Sequence, residues 1–287
     1  MMLFLVAAAV SIPLGLDLYL PAPETNPLTA AKIELGRRLF FDRRLSNDGS
    51  VSCSSCHDPE RAFSDGRAIA VGVFQRKGRR NSPVLINRGY GRLFFWDGRV
   101  SSLEEQVLKP IEDRNEMDLP LAEATARVSL APDEIARALA SFVRSILSGD
   151  SAYDRHINGD RAALTPEQRA GLQLFRGKAN CTSCHVGPNF TDERLHNTGV
   201  AWRDGRFTDA GAGPGNFKTP TLREIARTAP YMHDGSLATL DAVIEYYDRG
   251  GNQNPGLDPE IRPLRLTVVE KQSLIAFLRA LNGRLYR

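Results

Sequence analysis

Residues that bind metals are scarce in this chain: five histidines and four cysteines among 287 residues. No histidine occurs between Asp58 and Glu116, so nothing that stretch contributes to a site is an imidazole. No lysine or arginine run stands apart from acidic neighbours and the net charge is only +3, which excludes an electrostatic nucleic-acid surface and leaves a weak preference for an acidic redox partner. A long apolar run is missing too. The first ten residues, MMLFLVAAAV, are uncharged, and apolar character continues with interruptions to Leu20. The clean apolar core of that stretch is shorter than the ~20 residues of a membrane span, and no basic segment precedes it. Residues 1–20 therefore read as an export signal or a short membrane tether, with a buried N-terminal helix as the alternative. Alternating apolar residues between hairpin turns are also absent, which argues against a mainly β fold.

All four cysteines fall in two pentapeptides, Cys53-Ser54-Ser55-Cys56-His57 and Cys181-Thr182-Ser183-Cys184-His185. Each reads as a covalent attachment site for c-type haem: two thiols form thioethers to the porphyrin, and the adjacent imidazole reaches the iron as proximal ligand. A thioredoxin-like pair would want a βαβ context and a zinc site would gather its ligands together, and neither asks for a histidine directly after both pairs. The chain is long enough for two domains with one motif in each. Haem attachment of this type takes place outside the cytoplasm, which with the apolar N-terminus indicates the periplasm.

The chain also repeats itself. Leu28-Thr29 and then Gly36-Arg37-Arg38-Leu39-Phe40 precede the first motif, and Leu164-Thr165 and then Gly171-Leu172-Gln173-Leu174-Phe175 precede the second. The shared G-x-x-L-F suggests two copies of one module. Ala131-Pro132-Asp133-Glu134 predicts a helix start whose apolar face runs through Ile135, Leu139, Phe142, Val143 and Ile146. Thr165-Pro166-Glu167-Gln168 and Thr267 to Glu270 open two more, the last carrying Leu274, Phe277, Leu278 and Leu281. The expected fold is mainly α, with two cytochrome c-like domains over 21–150 and 151–287. The segment Ser148 to Arg161, rich in Gly, Asp and Ser, is the expected linker. Phe190, Trp202, Phe207 and Phe217 give the Gly- and Pro-rich stretch 187–220 apolar surface to wrap around a haem.

Several further motifs occur in order with these sites: Arg80-Asn81-Ser82-Pro83, Phe95-Trp96-Asp97-Gly98-Arg99, Glu105-Gln106 to Pro110, Asn115-Glu116-Met117, Lys218 to Arg223 and Ala229 to Gly235. Together they resemble the superfamily of bacterial di-haem cytochrome c peroxidases and MauG. The resemblance covers nearly the whole chain after Leu20, and it implies roles residue by residue. Glu116 would sit on the distal side of the first haem and move protons to and from hydrogen peroxide, with Gln106 and Pro110 completing the pocket; proline cannot ligate iron. Trp96 would lie between the haems, where an indole can relay electrons. Asn81, with the carbonyls of Thr228 and Pro230, would hold a calcium ion, all being oxygen donors.

Two departures from the peroxidase pattern point to the MauG-like branch. The loop 71–78 lacks the histidine that blocks the first iron in typical members, so that iron is expected to be open or water-bound at rest. In place of the usual axial methionine of the second haem the matching position is Tyr247, with Tyr246 and Met232 as rivals; a phenolate lowers the potential and favours higher oxidation states. His196 and His233 read as hydrogen-bonding residues near the second haem, and His156 as exposed in the linker. The resemblance thus implies two covalent haems c and calcium, and a peroxidase that reduces hydrogen peroxide with electrons from a c-type cytochrome or cupredoxin, active without reductive activation. One alternative is an oxidase that modifies a side chain of a partner protein, against which Ala179 stands where MauG presents a surface tryptophan. The other is a non-catalytic di-haem electron carrier.

Overall fold

Two helix pairs organise the fold, and each grows from one copy of the G-x-x-L-F repeat. In the computed structural model, which describes residues 10–286, helix Ala30–Phe40 packs on helix Pro132–Ser145, and helix Pro166–Arg176 packs on helix Val268–Arg279. Thr29 caps the first, its hydroxyl accepting from Lys32 N at 3.3 Å, and Thr165 with Gln168 forms the capping box expected for the third. The repeated glycine is where the backbones nearly touch. A Cβ on Gly36 would lie 1.9 Å from the Ala138 carbonyl oxygen, and one on Gly171 would lie 1.9 Å from the Ser273 carbonyl oxygen. Only glycine permits that approach in either half.

Around each crossing the same aromatic trio assembles. Phe40 meets Phe142 with ring centroids 5.0 Å apart and Phe63 at 6.1 Å; Phe175 meets Phe277 at 5.1 Å and Phe190 at 6.1 Å. Buried side chains of this size contribute about 1.5–3 kcal/mol each, so the trios anchor two separate apolar clusters, one drawn from residues 39–146 and one from 164–281.

The duplication extends well beyond the helices. Phe94 N donates to Val100 O at 2.8 Å, and 137 positions later Tyr231 N donates to Leu237 O at 2.7 Å. Ser102 caps helix Leu103–Gln106 as Thr239 caps helix Leu240–Asp248. The two copies also bond reciprocally, Asn81 N to His233 O and Lys218 N to Trp96 O, both at 2.7 Å. The halves thus meet about an approximate twofold axis.

Helix accounts for 36% of the described residues, no more than an average globular domain, so the α character expected from the sequence is real but long irregular segments take more of the chain. Strands are confined, among the described residues, to three antiparallel pairs of two or three residues: Leu147–Gly149 with Arg284–Tyr286, Leu195–His196 with Phe217–Lys218, and Trp202–Arg203 with Arg206–Phe207. The stretch 187–220 is packed as its aromatics require: Phe190 and Phe217 are buried, and Trp202 stacks edge-on against Phe207 at 4.8 Å.

Ser148 to Arg161 joins the two apolar clusters in sequence and is itself packed. Ser148, Ser151 and Asp154 are each at most 1% exposed, and the Asp154 carboxylate receives both terminal nitrogens of Arg223, at 2.6 and 2.9 Å, in a fully buried ion pair. His156 is half-buried on helix Ala152–Ile157, with its Nδ1 buried and unpaired among the described residues, rather than exposed.

Of the expected leader over 1–20, residues 1–9 lie outside the described residues. The remainder is partly fastened to the body. Arg223 donates to Gly15 O, Asp150 N to Leu14 O, and the Tyr90 hydroxyl to Asp17 O. Gly15 has φ +89° and its α-carbon faces Asp154, which leaves no room for a side chain. No helix among the described residues is long and apolar enough to cross a membrane.

Candidate active site

One cavity of about 650 Å³ lies between the two halves and reaches both pentapeptides. Cys56, His57, Cys181, Cys184 and His185 line it, while Cys53 begins the short helix Cys53–Cys56 and sits one turn before Cys56. The four thiols are free. Burial pushes those of Cys53, Cys56 and Cys181 up to about 12, so none resembles an activated redox thiol.

Both histidines are held alike. His57 Nδ1 donates to Phe63 O at 3.1 Å and His185 Nδ1 to Phe190 O at 2.8 Å. A carbonyl only accepts, so Nδ1 carries the proton and Nε2 presents a lone pair, the tautomer of a metal ligand. Burial also holds both imidazoles below their ordinary value, that is, neutral. Paired free thiols, a ligand-ready imidazole after each pair and a largely apolar cavity fit covalent haem in both halves.

The residues singled out on the distal side converge. Trp96, Gln106, Pro110 and Glu116 line the cavity. Burial, reinforced by Asp113 and opposed by Arg99, pushes the Glu116 carboxyl up to about 7, and no hydrogen bond or ion pair among the described residues engages it. Its backbone is fixed, however. Val73 N donates to Glu116 O at 2.8 Å, and Arg76 bonds Arg114 O and the Asp118 carboxylate at 2.8 and 2.7 Å. The histidine-free loop 71–78 is thereby fastened to the segment that carries the acid.

Trp96 bridges the halves, its indole N–H donating to Asn81 O at 2.8 Å and its carbonyl accepting from Lys218 N. Tyr247 lines the cavity, whereas Tyr246 turns away and spends its hydroxyl on Thr198 O at 2.9 Å. The internal repeat gives the same register: Pro110 of the first half falls, 137 positions on, at Tyr247. One frame therefore offers a non-ligating ring at one centre and a phenol at the other. Burial raises that phenol above its ordinary range, so only a facing cation would favour its ionised form. Met232 also lines the cavity.

Asn81, Thr228 and Pro230, the residues expected at a calcium ion, also border the cavity. The Asn81 amide nitrogen, not its oxygen, faces Pro230 O at 3.5 Å and donates to Arg67 O at 2.6 Å. As it stands this is a hydrogen-bonded tie between the halves, and no chemistry is assigned to calcium.

His196 is held between Asp258 and Asp192, at 2.5 and 2.9 Å, and His233 stacks on Phe217 with centroids 3.7 Å apart. Both line the cavity. Among the cavity residues to which the sequence reading gave no role are Phe95, Arg88 and Lys218. The repeat could have exposed Phe95, which aligns with Met232; the two ionic residues carry no local signal.

Residues 30–162 match the family model described as di-haem cytochrome c peroxidase. The chain is 38% identical to the methylamine utilization protein MauG of Methylorubrum extorquens, over 92% of this chain and 81% of that protein. It is 35% identical to the cytochrome-c peroxidase IdrP2 of Denitromonas iodatirespirans, over 91% and 84%. Among solved structures, a MauG-like protein associated with microbial copper homeostasis superposes with a TM-score of 0.84 at 33% identity, covering 93% of this chain and 95% of that one.

Proposed function

Since this chain belongs to the di-haem cytochrome c peroxidase family, MauG-like proteins included, we propose that it reduces hydrogen peroxide to water with electrons from a small redox protein in the periplasm. We assign residues 21–150 to the peroxide-reacting half and 151–287 to the electron-transfer half. The observation that carries this reading is the Glu116 carboxyl, free of partners in the cavity wall and brought to about 7. A carrier of electrons has no use for such a group.

Bound haem supplies the redox centre at which peroxide is cleaved and oxidising equivalents are held. His57 and His185, each with Nδ1 committed to a backbone carbonyl, would hold the two haems through Nε2. Glu116 accepts a proton from entering peroxide and returns it to the departing oxygen, which a carboxyl titrating near neutrality does in both directions. Gln106 and Pro110 shape the space in front of it without filling it. Trp96, locked at both its indole and its carbonyl, couples the halves with little rearrangement. Tyr247 would supply a second protein ligand to the haem of the electron-transfer half.

Three measurements test these assignments. Glu116 must be ionised to accept the first proton, so kcat/KM for peroxide rises with pH through about 7 and levels off above it; a flat profile would remove it from the rate. In Tyr247→Phe the low-spin ferric signal of one haem converts to high spin while the other haem is untouched, and an unchanged spectrum would return Tyr246 or Met232 to consideration. Fully oxidised protein should turn over peroxide without a reductive pretreatment, since loop 71–78 has no histidine to withdraw.

The reading as an oxidase of a partner protein draws support from the MauG relative, the histidine-free loop and Tyr247. Against it stands Ala179, only 6% exposed, which offers no redox-active surface residue two positions before Cys181.

A further inference from the structure

Lys218 is 8% exposed and stands in the cavity wall beside Trp96, whose carbonyl its own backbone N–H holds. An ammonium carries three donors. Only one of them is used, and poorly, on Thr219 O at 3.3 Å. The nearest carboxylate, Glu193, is 3.6 Å away, beyond a hydrogen bond.

Glu193 is already committed elsewhere. It receives Arg88 through both terminal nitrogens, at 2.7 and 3.3 Å, together with the backbone N–H groups of Arg92 and Leu93 at 3.0 and 3.2 Å. The neighbouring Asp192 is taken by His196 and by Arg194 N. Glu193 therefore meets Lys218 only as a loose ion pair that it shares with Arg88, which leaves ammonium donors able to take a further anion. Burial, with Arg88 nearby and in spite of Glu193, already brings this group down to about 8.

Lys218 is also one of the residues that line the cavity. At the corresponding place in the first half stands the neutral Asn81, so the charge serves one side of the approximate twofold and not the fold in general. Once the thioethers have formed, the anionic groups of a c-type haem are its propionates. We propose that Lys218 is a cofactor-binding residue, its ammonium anchoring a propionate carboxylate of one haem beside Trp96. The anchor rests on the haem reading above, and it sets the potential of that haem through a buried positive charge.

The test uses holoprotein variants Lys218→Met and Lys218→Arg, with haem content from the pyridine haemochrome, midpoint potentials of both haems by spectroelectrochemistry, and the propionate bending bands by resonance Raman. Lys218→Met is expected to shift one midpoint negative and to move the propionate band. Lys218→Arg keeps the charge and folds more readily; it should move the band and hold the midpoint near wild type. An unmoved band in Lys218→Arg, or unmoved midpoints in a two-haem Lys218→Met, overturns the anchor alone. Wild-type protein matured with no haem overturns the haem reading itself.

Discussion

Glu116→Gln is expected to lower kcat/KM for hydrogen peroxide by about 10²–10⁴-fold, the usual contribution of a positioned proton-transfer group. Glutamine keeps the volume and polarity of the side chain but neither takes up nor releases a proton near neutrality. Because no hydrogen bond or ion pair of the described residues depends on the carboxylate, the loss should come without a loss of folding. Stopped-flow measurement of the peroxide reaction checks this, with haem content and thermal midpoint as controls. The pH step near 7 should vanish together with the rate. Retained activity would shift the proton chemistry to another group of the cavity and remove the observation on which the peroxidase reading rests.

Arg223→Met carries the largest expected effect on stability. Arg223 and Asp154 are fully buried, and Arg223 also donates to Pro188 O at 2.8 Å and to Gly15 O at 3.0 Å. Removing one member of such a pair strands the other as a buried charge and costs about 3–5 kcal/mol. At about 2–4 °C per kcal/mol for a domain of this size, the thermal midpoint should fall by roughly 10 °C. The partner change Asp154→Leu, made on top of it, should recover much of that loss, since apolar replacement of a whole buried pair is often neutral. Calorimetry on the single and double variants decides: a fall of less than about 1 kcal/mol in Arg223→Met would mean that solvent reaches the pair. The proximal side of the second haem should feel the same change. Pro188 and Phe190 belong to the turn whose carbonyl orients His185, so the single variant should also broaden the spectrum of that haem.

How much of this was legible beforehand depended on how local each feature is. The pentapeptides declare themselves because covalent attachment needs two thiols and an imidazole within five residues, whatever the fold. The helices opened by Thr165 and Thr267 were readable because capping is a contact between residues three apart. The repeated glycine was visible as a pattern, but its meaning lies in the carbonyls of Ala138 and Ser273, about a hundred residues away in sequence. Ser148 to Arg161 has the composition of a linker, and nothing nearby reveals that Arg223 comes in to bury Asp154.

By itself the sequence determined what is fixed within a few residues: two pentapeptides of the haem-attachment pattern, the helix starts, the internal repeat and a loop without a histidine. The tertiary structure decided what the two copies do differently. On one frame it set Pro110 against Tyr247 and Asn81 against Lys218, and it placed Glu116 in a cavity where burial, not composition, moves its carboxyl to about 7. Desolvation and partner geometry depend on what surrounds a side chain in space, and those neighbours come from distant parts of the chain.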